Sequence, residues 1–305
     1  MIINPVLNPF YNPNPVINPN YPPGNPHNIA WFAVYEAASR WLANFESQDT
    51  RQQALSILFQ DLTSDYWLLL TSFQGCILES NIRIVQTEIF CRVRRYIENF
   101  YKLKNLANDP DFLWVINAKE NNKEKDEKLP DKYENHKDSN GFITLRGLGE
   151  CLRANDEGII KDFDSDVLFE VGVINGKLGG SLYSTNQKNY NSVDGKSILH
   201  PIDILSGIAK TANSYVHGSK IWEEGVTVYK LRDQLQGIFY MCLECLHIAL
   251  KRMMEIYPLY IQSSSVYYYY DPNYDPNKVL ENLYKWQRKI IKTNLTLNSG
   301  YRTYY

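Results

Sequence analysis

One stretch limits the fold more than any other, the run from Thr227 to Tyr257. Leu231, Leu235, Ile238, Cys242, Cys245, Ala249, Met253 and Ile256 recur there at spacings of three and four, and Phe239, Leu243, Leu246 and Leu250 widen the stripe. That period belongs to an α-helix. A helix apolar around most of its circumference must be covered by other helices, so the segment predicts a bundle with itself at the centre. Pro258 ends it. No membrane span is expected, because polar residues interrupt every apolar run well before the ~20 residues a bilayer needs.

Other segments share the period. Asn28 can cap a helix from Ile29 to about Phe45, carrying Trp31, Val34, Ala38, Trp41, Leu42 and Phe45. Asp49 or Thr50 can cap a second, with Ala54, Ile57, Leu58 and Leu62 within it. Ser64 is expected to begin a third, running to about Lys104 with a stripe of Ile82, Ile89, Val93, Ile97 and Phe100. Pro201 suits the first turn of a helix to about His217, whose apolar face holds Ile204, Leu205, Ile208, Ala212 and Tyr215 or Val216. Gly218 is a natural terminator. A final helix is expected near Asn277 to Lys292.

Between these blocks the character changes. Asn117 to Gly141 is charged, Asn-rich and nearly free of large apolar groups, which predicts a mobile insertion. FITLRGLGECLRA predicts a short helix. DVLFEVGVINGKLGGSLYST predicts a hairpin, from its β-branched residues between Val167 and Ile174 and the Asn175-Gly176 pair. Residues 1–27 repeat Asn-Pro with Ile, Val, Phe and Tyr between, which predicts an extended arm, either disordered or laid on the body or a partner. The expected class is thus mainly α, a helical bundle with an irregular or small β-containing insertion and an extended Asn-Pro-rich N-terminal arm. In chain order these are the arm (1–27), the N-terminal half of the bundle (28–105), the insertion (106–199), the C-terminal half of the bundle (200–257), and a Tyr-rich loop, final helix and tail (258–305).

Composition excludes some classes. A net charge of -2 gives no global attraction to nucleic acid or acidic membranes, so any such site must be a local basic patch. Cys76, Cys91, Cys151, Cys242 and Cys245 are odd in number and mostly sit in apolar helical patterns, which predicts reduced thiols in a cytoplasmic protein. No basic stretch followed by an apolar run opens the sequence, so no signal peptide is expected. Asp162, Asp164 and Asp166 begin like a calcium loop, but Val167 and Val173 stand where glycine and an acid are required. Cys242 and Cys245 lack a second pair for zinc. GVINGKLGG is one residue short of a phosphate loop, with Leu178 in place of the hydroxyl. No metal and no cofactor is expected.

One stretch carries candidate chemistry, KTANSYVHGSKIW from Lys210 to Trp222. Asn213 and His217 are four apart and share a helix face, with Lys210 about one turn earlier. An imidazole can move protons near neutral pH, and a cation with an amide can hold a phosphate. Those are the minimum for RNA phosphodiester cleavage, where a 2′-hydroxyl must be deprotonated and charge on phosphorus stabilised. The competing reading is a histidine that only caps a helix C-terminus. Arg92, Arg94 and Arg95 are further candidates for RNA phosphates, although three arginines in four residues cannot share one face. The four tyrosines from Tyr267 to Tyr270 suit base stacking or a protein interface.

A helix ending in Asn213, three residues and His217, followed by a long apolar helix, resembles the HEPN superfamily of helical nucleotide-binding domains. Many of its members are metal-independent ribonucleases of toxin, phage-defence and CRISPR-linked systems. The resemblance spans about 28–105 and 200–256. It implies a helical bundle, often a homodimer with the motif pair meeting across the interface. It also implies His217 as acid or base, with Asn213 and Lys210 binding phosphate. The family motif is an arginine, four to six residues and a histidine; here Lys210, Thr211 and Ala212 stand where the arginine would fall. Two functions are therefore expected: a HEPN-like protein acting on RNA or nucleotide, or a non-catalytic helical protein that binds a protein partner or itself through its arm and Tyr-rich C-terminus.

Overall fold

The structure is a computed structural model, and it describes residues 50–76, 82–116, 131–137, 139, 143–155, 159–183, 190–191, 197–217, 228–256, 281, 284–285 and 288. The expected first helix, the Asn-Pro arm, Gly218 and the four consecutive tyrosines lie outside these residues. What is described is mainly helical. In chain order the helices are α1 (Thr50–Cys76), α2 (Ile82–Asn108), α3 (Phe112–Ile116), a 3-10 turn (Asp131–His136), α4 (Leu145–Asn155), α5 (Ile159–Asp162), α6 (Ser165–Lys177), α7 (Pro201–Val216) and α8 (Val228–Ile256). Glu281, Tyr284, Lys285 and Arg288 are also helical.

Helix α2 packs against α1, α4, α7 and α8, and α8 also packs against α1 and α6. Both stripes found in the sequence are buried. Ile89, Val93, Ile97 and Phe100 of α2 are almost fully enclosed, as are Leu231, Leu235, Ile238, Cys242, Cys245, Ala249 and Met253 of α8. Every residue from Gly237 to Leu246 is buried, so α8 is covered on all sides there. The Tyr96 hydroxyl donates to the Cys242 carbonyl at 2.7 Å and so pins α2 to α8 without leaving a buried donor unpaired. On α7 the buried choice is Tyr215, and Val216 faces out.

Three expectations are corrected. No helix starts at Ser64. Leu62, Tyr66 and Leu69 continue the buried face of α1 through that point, and the Ser64 side chain is exposed, so α1 runs unbroken to Cys76. Ile57 of this helix is exposed, at 46%. The predicted hairpin is helix α6. Val167, Leu168, Val171 and Ile174 fall at helical spacing and are all buried, and that burial outweighs their strand propensity. Asp164 caps the start by accepting from the Asp166 amide at 2.8 Å. The chain turns not at Asn175-Gly176 but at Gly179 and Gly180, whose φ values of 61° and 79° belong to the left-handed region. Asn175 instead accepts from the amides of Leu182 and Tyr183. Finally, the charged insertion is anchored at its end. Tyr133 of the 3-10 turn is buried, hydrogen-bonds Asp109 and meets Phe112 edge-on at 5.4 Å.

The β-structure among the described residues is one short antiparallel pair, Tyr190 with Ile198 and Asn191 with Ser197, beside an isolated bridge between Lys137 and Ile143. Helices α4 and α6 contribute Leu148, Leu152, Val167 and Leu168 to the same apolar core as α1, α2, α7 and α8.

Gly147 is needed where α4 crosses the 3-10 turn. A Cβ there would come within 2.5 Å of the His136 carbonyl oxygen and 2.9 Å of an Ile143 methyl. Gly147→Ala is expected to destabilise the protein by about 1–3 kcal/mol despite alanine's better helix propensity. Urea denaturation measures it; an unchanged midpoint would show that the turn yields freely.

Candidate functional site

Helix α7 is mounted at both ends. At its start the His200 ring accepts from the Ile202 amide at 3.2 Å. Burial, aided by nearby Arg153, pushes that histidine down to about 4, so it stays neutral and keeps its acceptor. Asp203 in the first turn is buried and paired with Arg153 of α4. At its far end Tyr215 stacks face to face on Phe90 of α2, centroids 4.4 Å apart and planes within 5°. The helix then closes at His217, whose backbone amide donates to the Asn213 and Tyr215 carbonyls.

His217 thus caps the helix through its backbone, while its imidazole is exposed and free of hydrogen bonds among the described residues. Lys210 is exposed. Asn213 is half-buried, and its side-chain Oδ1 is buried without a partner. The polar row expected on α7 is therefore present, open at its histidine end.

The three arginines of α2 part company. Arg92 pairs with Glu88 at 2.8 Å, one turn back on its own helix. Arg95 turns to α1 and pairs with Asp61 at 3.4 Å and Asp65 at 3.3 Å. Asp65 is only 4% exposed on its side chain, and its burial outweighs the pull of Arg95, raising it to about 6. Arg94 makes no ion pair among the described residues, and its Nε is buried without a partner.

Register places Arg94 relative to α7. Phe90 meets Tyr215, while the Tyr101 hydroxyl lies 3.3 Å from the Ile202 carbonyl and 3.1 Å from Ser206 Oγ. The two helices therefore run antiparallel. Phe90, Arg94, Ile97 and Tyr101 follow at spacings of four, three and four, so they share one side of α2. Ser206, Ala209 and Asn213 share one side of α7 in the same way. Between the two fixed contacts Arg94 falls at about the level of Thr211, since both helices rise ~1.5 Å per residue. Arg94 Nε is thus a buried donor and Asn213 Oδ1 a buried acceptor, each without a partner, on two helices that pack together, and His217 follows one turn beyond Asn213.

No family model matches the chain, and neither a curated protein nor a solved structure matches it.

A second group of titratable residues surrounds Glu244. Its side chain is buried, with Oε2 accepting from the Asp164 amide at 3.1 Å and Oε1 left without a partner. Burial raises this acid to about 8. Arg288 reaches Asp164 at 2.5 Å, and His247 stacks on Tyr284 at 4.4 Å, so Tyr284 is tied to α8 and Arg288 to the cap of α6. His247 is pushed down to about 4 by burial and by Lys251. The signal for Glu244 was present in the sequence, a lone acid between Cys242 and Cys245 in an apolar helix, but spacing alone gave it no role. Among the described residues no cluster of His, Cys, Asp and Glu can hold a metal ion.

Glu244 supplies a pH signature. Its folded pKa lies above its ordinary 4.5, so the folded state retains a proton that the unfolded state loses. Stability is then full below about 4.5 and falls as pH rises towards about 8, by on the order of 3 kcal/mol at pH 7. Denaturation across this range should show Glu244→Gln gaining on the wild type as pH rises. A constant difference between the two would exclude a protonated Glu244.

Proposed function

We propose that the edge formed by α2 and α7 binds and cleaves RNA. His217 acts as acid and base, with Arg94, Asn213 and Lys210 holding the phosphate. The observation that carries this is the exposed His217 at the end of α7, with the unpartnered Asn213 Oδ1 one turn back and the unpartnered Arg94 Nε on the helix that packs against α7. The HEPN-like motif of α7 lacks its arginine, and Arg94 supplies a planar fork from the neighbouring helix, which Lys210 cannot do as a point charge. Arg92 and Arg95, already engaged with carboxylates, take the outer part of the strand at most.

The reaction is an internal transfer. His217 takes the proton of a 2′-hydroxyl, the 2′-oxygen bonds phosphorus, and the bond to the 5′-oxygen breaks. The leaving oxygen takes a proton back, leaving a 2′,3′-cyclic phosphate. Arg94 and Lys210 offset the charge that builds on the phosphoryl oxygens. The step calls for no metal or cofactor, and it fits a defence or toxin-type role.

A second reading rests on Phe169 and Val173, one turn apart on α6 and 41% and 42% exposed. Such a pair suits a protein contact, as in a non-catalytic assembly protein.

The test is cleavage of a labelled RNA pool in the presence of a chelator. Wild type should cut and leave cyclic-phosphate ends, while His217→Ala and Arg94→Ala should each lose about 100-fold or more. Arg94→Lys should recover little. Activity untouched by either alanine variant would remove the site; no cleavage by well-folded wild type would leave the assembly reading.

A further inference from the structure

A second site lies at the other end of α2. Lys104 and Phe90 are separated by fourteen positions on that helix, so this site is about 21 Å along the axis from the Phe90–Tyr215 stack beside His217. It is a polar pocket of about 480 Å³ between the last turns of α2, the short helix α5 and the last turns of α8. Among the described residues, Lys104, Lys161, Lys251 and Arg252 line it against Asp162 and Glu255, an excess of two positive charges in a chain that is negative overall.

The pairs within it leave that excess in definite places. Lys104, nearly buried, pairs with Asp162 at 2.8 Å. Arg252 pairs with Glu255 at 2.7 Å and donates to the Ala107 carbonyl at 3.3 Å, which fixes its guanidinium plane; its Nε is buried and unpartnered. Lys161 and Lys251 are exposed and make no ion pair among the described residues. The terminal carbonyls of α2 would repel an anion, but Arg51 already donates to Leu106 and Ala107 at 3.0–3.2 Å, and Arg252 to Ala107.

We propose that this pocket binds a dianionic phosphate monoester carried by a small hydroxylated molecule. A phosphate monoester carries close to two negative charges at neutral pH, which matches the two unpaired lysines. The volume exceeds one phosphate and falls within the ~300–1,000 Å³ usual for small-molecule sites. Among the described residues no aromatic ring lines it, so these residues offer a nucleobase nothing to stack on, while Asp162 and Glu255 carry acceptors for hydroxyls. Among the described residues Ile248 is the apolar one in the lining. The site is independent of the RNA-cleavage reading.

Calorimetric titration of the full chain tests it, with ribose 5-phosphate, ribose, inorganic phosphate and a short RNA as probes. Ribose 5-phosphate should bind, ribose should not, and inorganic phosphate should bind more weakly and compete. Lys161→Ala and Lys251→Ala should each weaken ribose 5-phosphate about ten-fold. Both lysines are exposed, and an unchanged circular dichroism spectrum confirms that the variants fold. His217→Ala should bind ribose 5-phosphate as wild type does, which separates this site from the one on α7. Absence of binding by any phosphate compound overturns the proposal, as does binding that both lysine variants retain. Inorganic phosphate binding as tightly as ribose 5-phosphate overturns the hydroxylated carrier. RNA binding lost with the lysines, without ribose 5-phosphate binding, reassigns the pocket to a nucleic-acid strand.

Discussion

Tyr96, Phe100 and Tyr101 fill the middle of α2, and the helices around it are positioned by what those rings touch. Tyr96 reaches the backbone of α8 and packs at 6.5 Å from Tyr66 of α1. Tyr101 reaches Ile202 and Ser206 of α7, and Phe100 meets Phe163 beside the start of α6. All three are almost fully buried. Large rings contribute much apolar area, and each tyrosine hydroxyl needs a partner in a dry interior, so each contact is specific in direction as well as favourable. Burial raises both tyrosine pKa values far above the ordinary range, so the hydroxyls remain donors at any physiological pH.

Both candidate sites depend on that arrangement. The antiparallel packing of α2 against α7 sets Arg94 at about the level of Thr211. The crossing of α2 with α8 brings Lys104 towards Lys251 and Arg252. A single helix therefore separates two places where phosphate chemistry is proposed, one with an imidazole and one without.

Much of the helical architecture was legible. The stripes of α2, α7 and α8 are sustained over several turns, and a long repeat at helical spacing has few competing explanations. The short helix at Leu145–Asn155 was likewise expected. The failures came where local signals outvoted context. Val167 to Ile174 has strand-forming residues and a turn-forming pair after it, yet its burial at helical spacing made it α6. Ser64 resembles a cap, but a cap needs a helix end, and the packed face of α1 continues past it. Tyr133 was hidden in a charged run, where one aromatic ring sufficed to anchor a turn.

The sequence by itself determined that the chain forms amphipathic and buried helices, and that Lys210, Asn213 and His217 share a helix face, because both follow from the period of a single helix. It could not decide which of Arg92, Arg94 and Arg95 pair with carboxylates, or that Lys104, Lys161 and Lys251 line one pocket, or that Glu244 is enclosed. Spacing along a helix fixes directions only relative to that helix. What a charge faces, and whether it keeps its water, depends on segments distant in the chain, so the tertiary packing alone decided those placements.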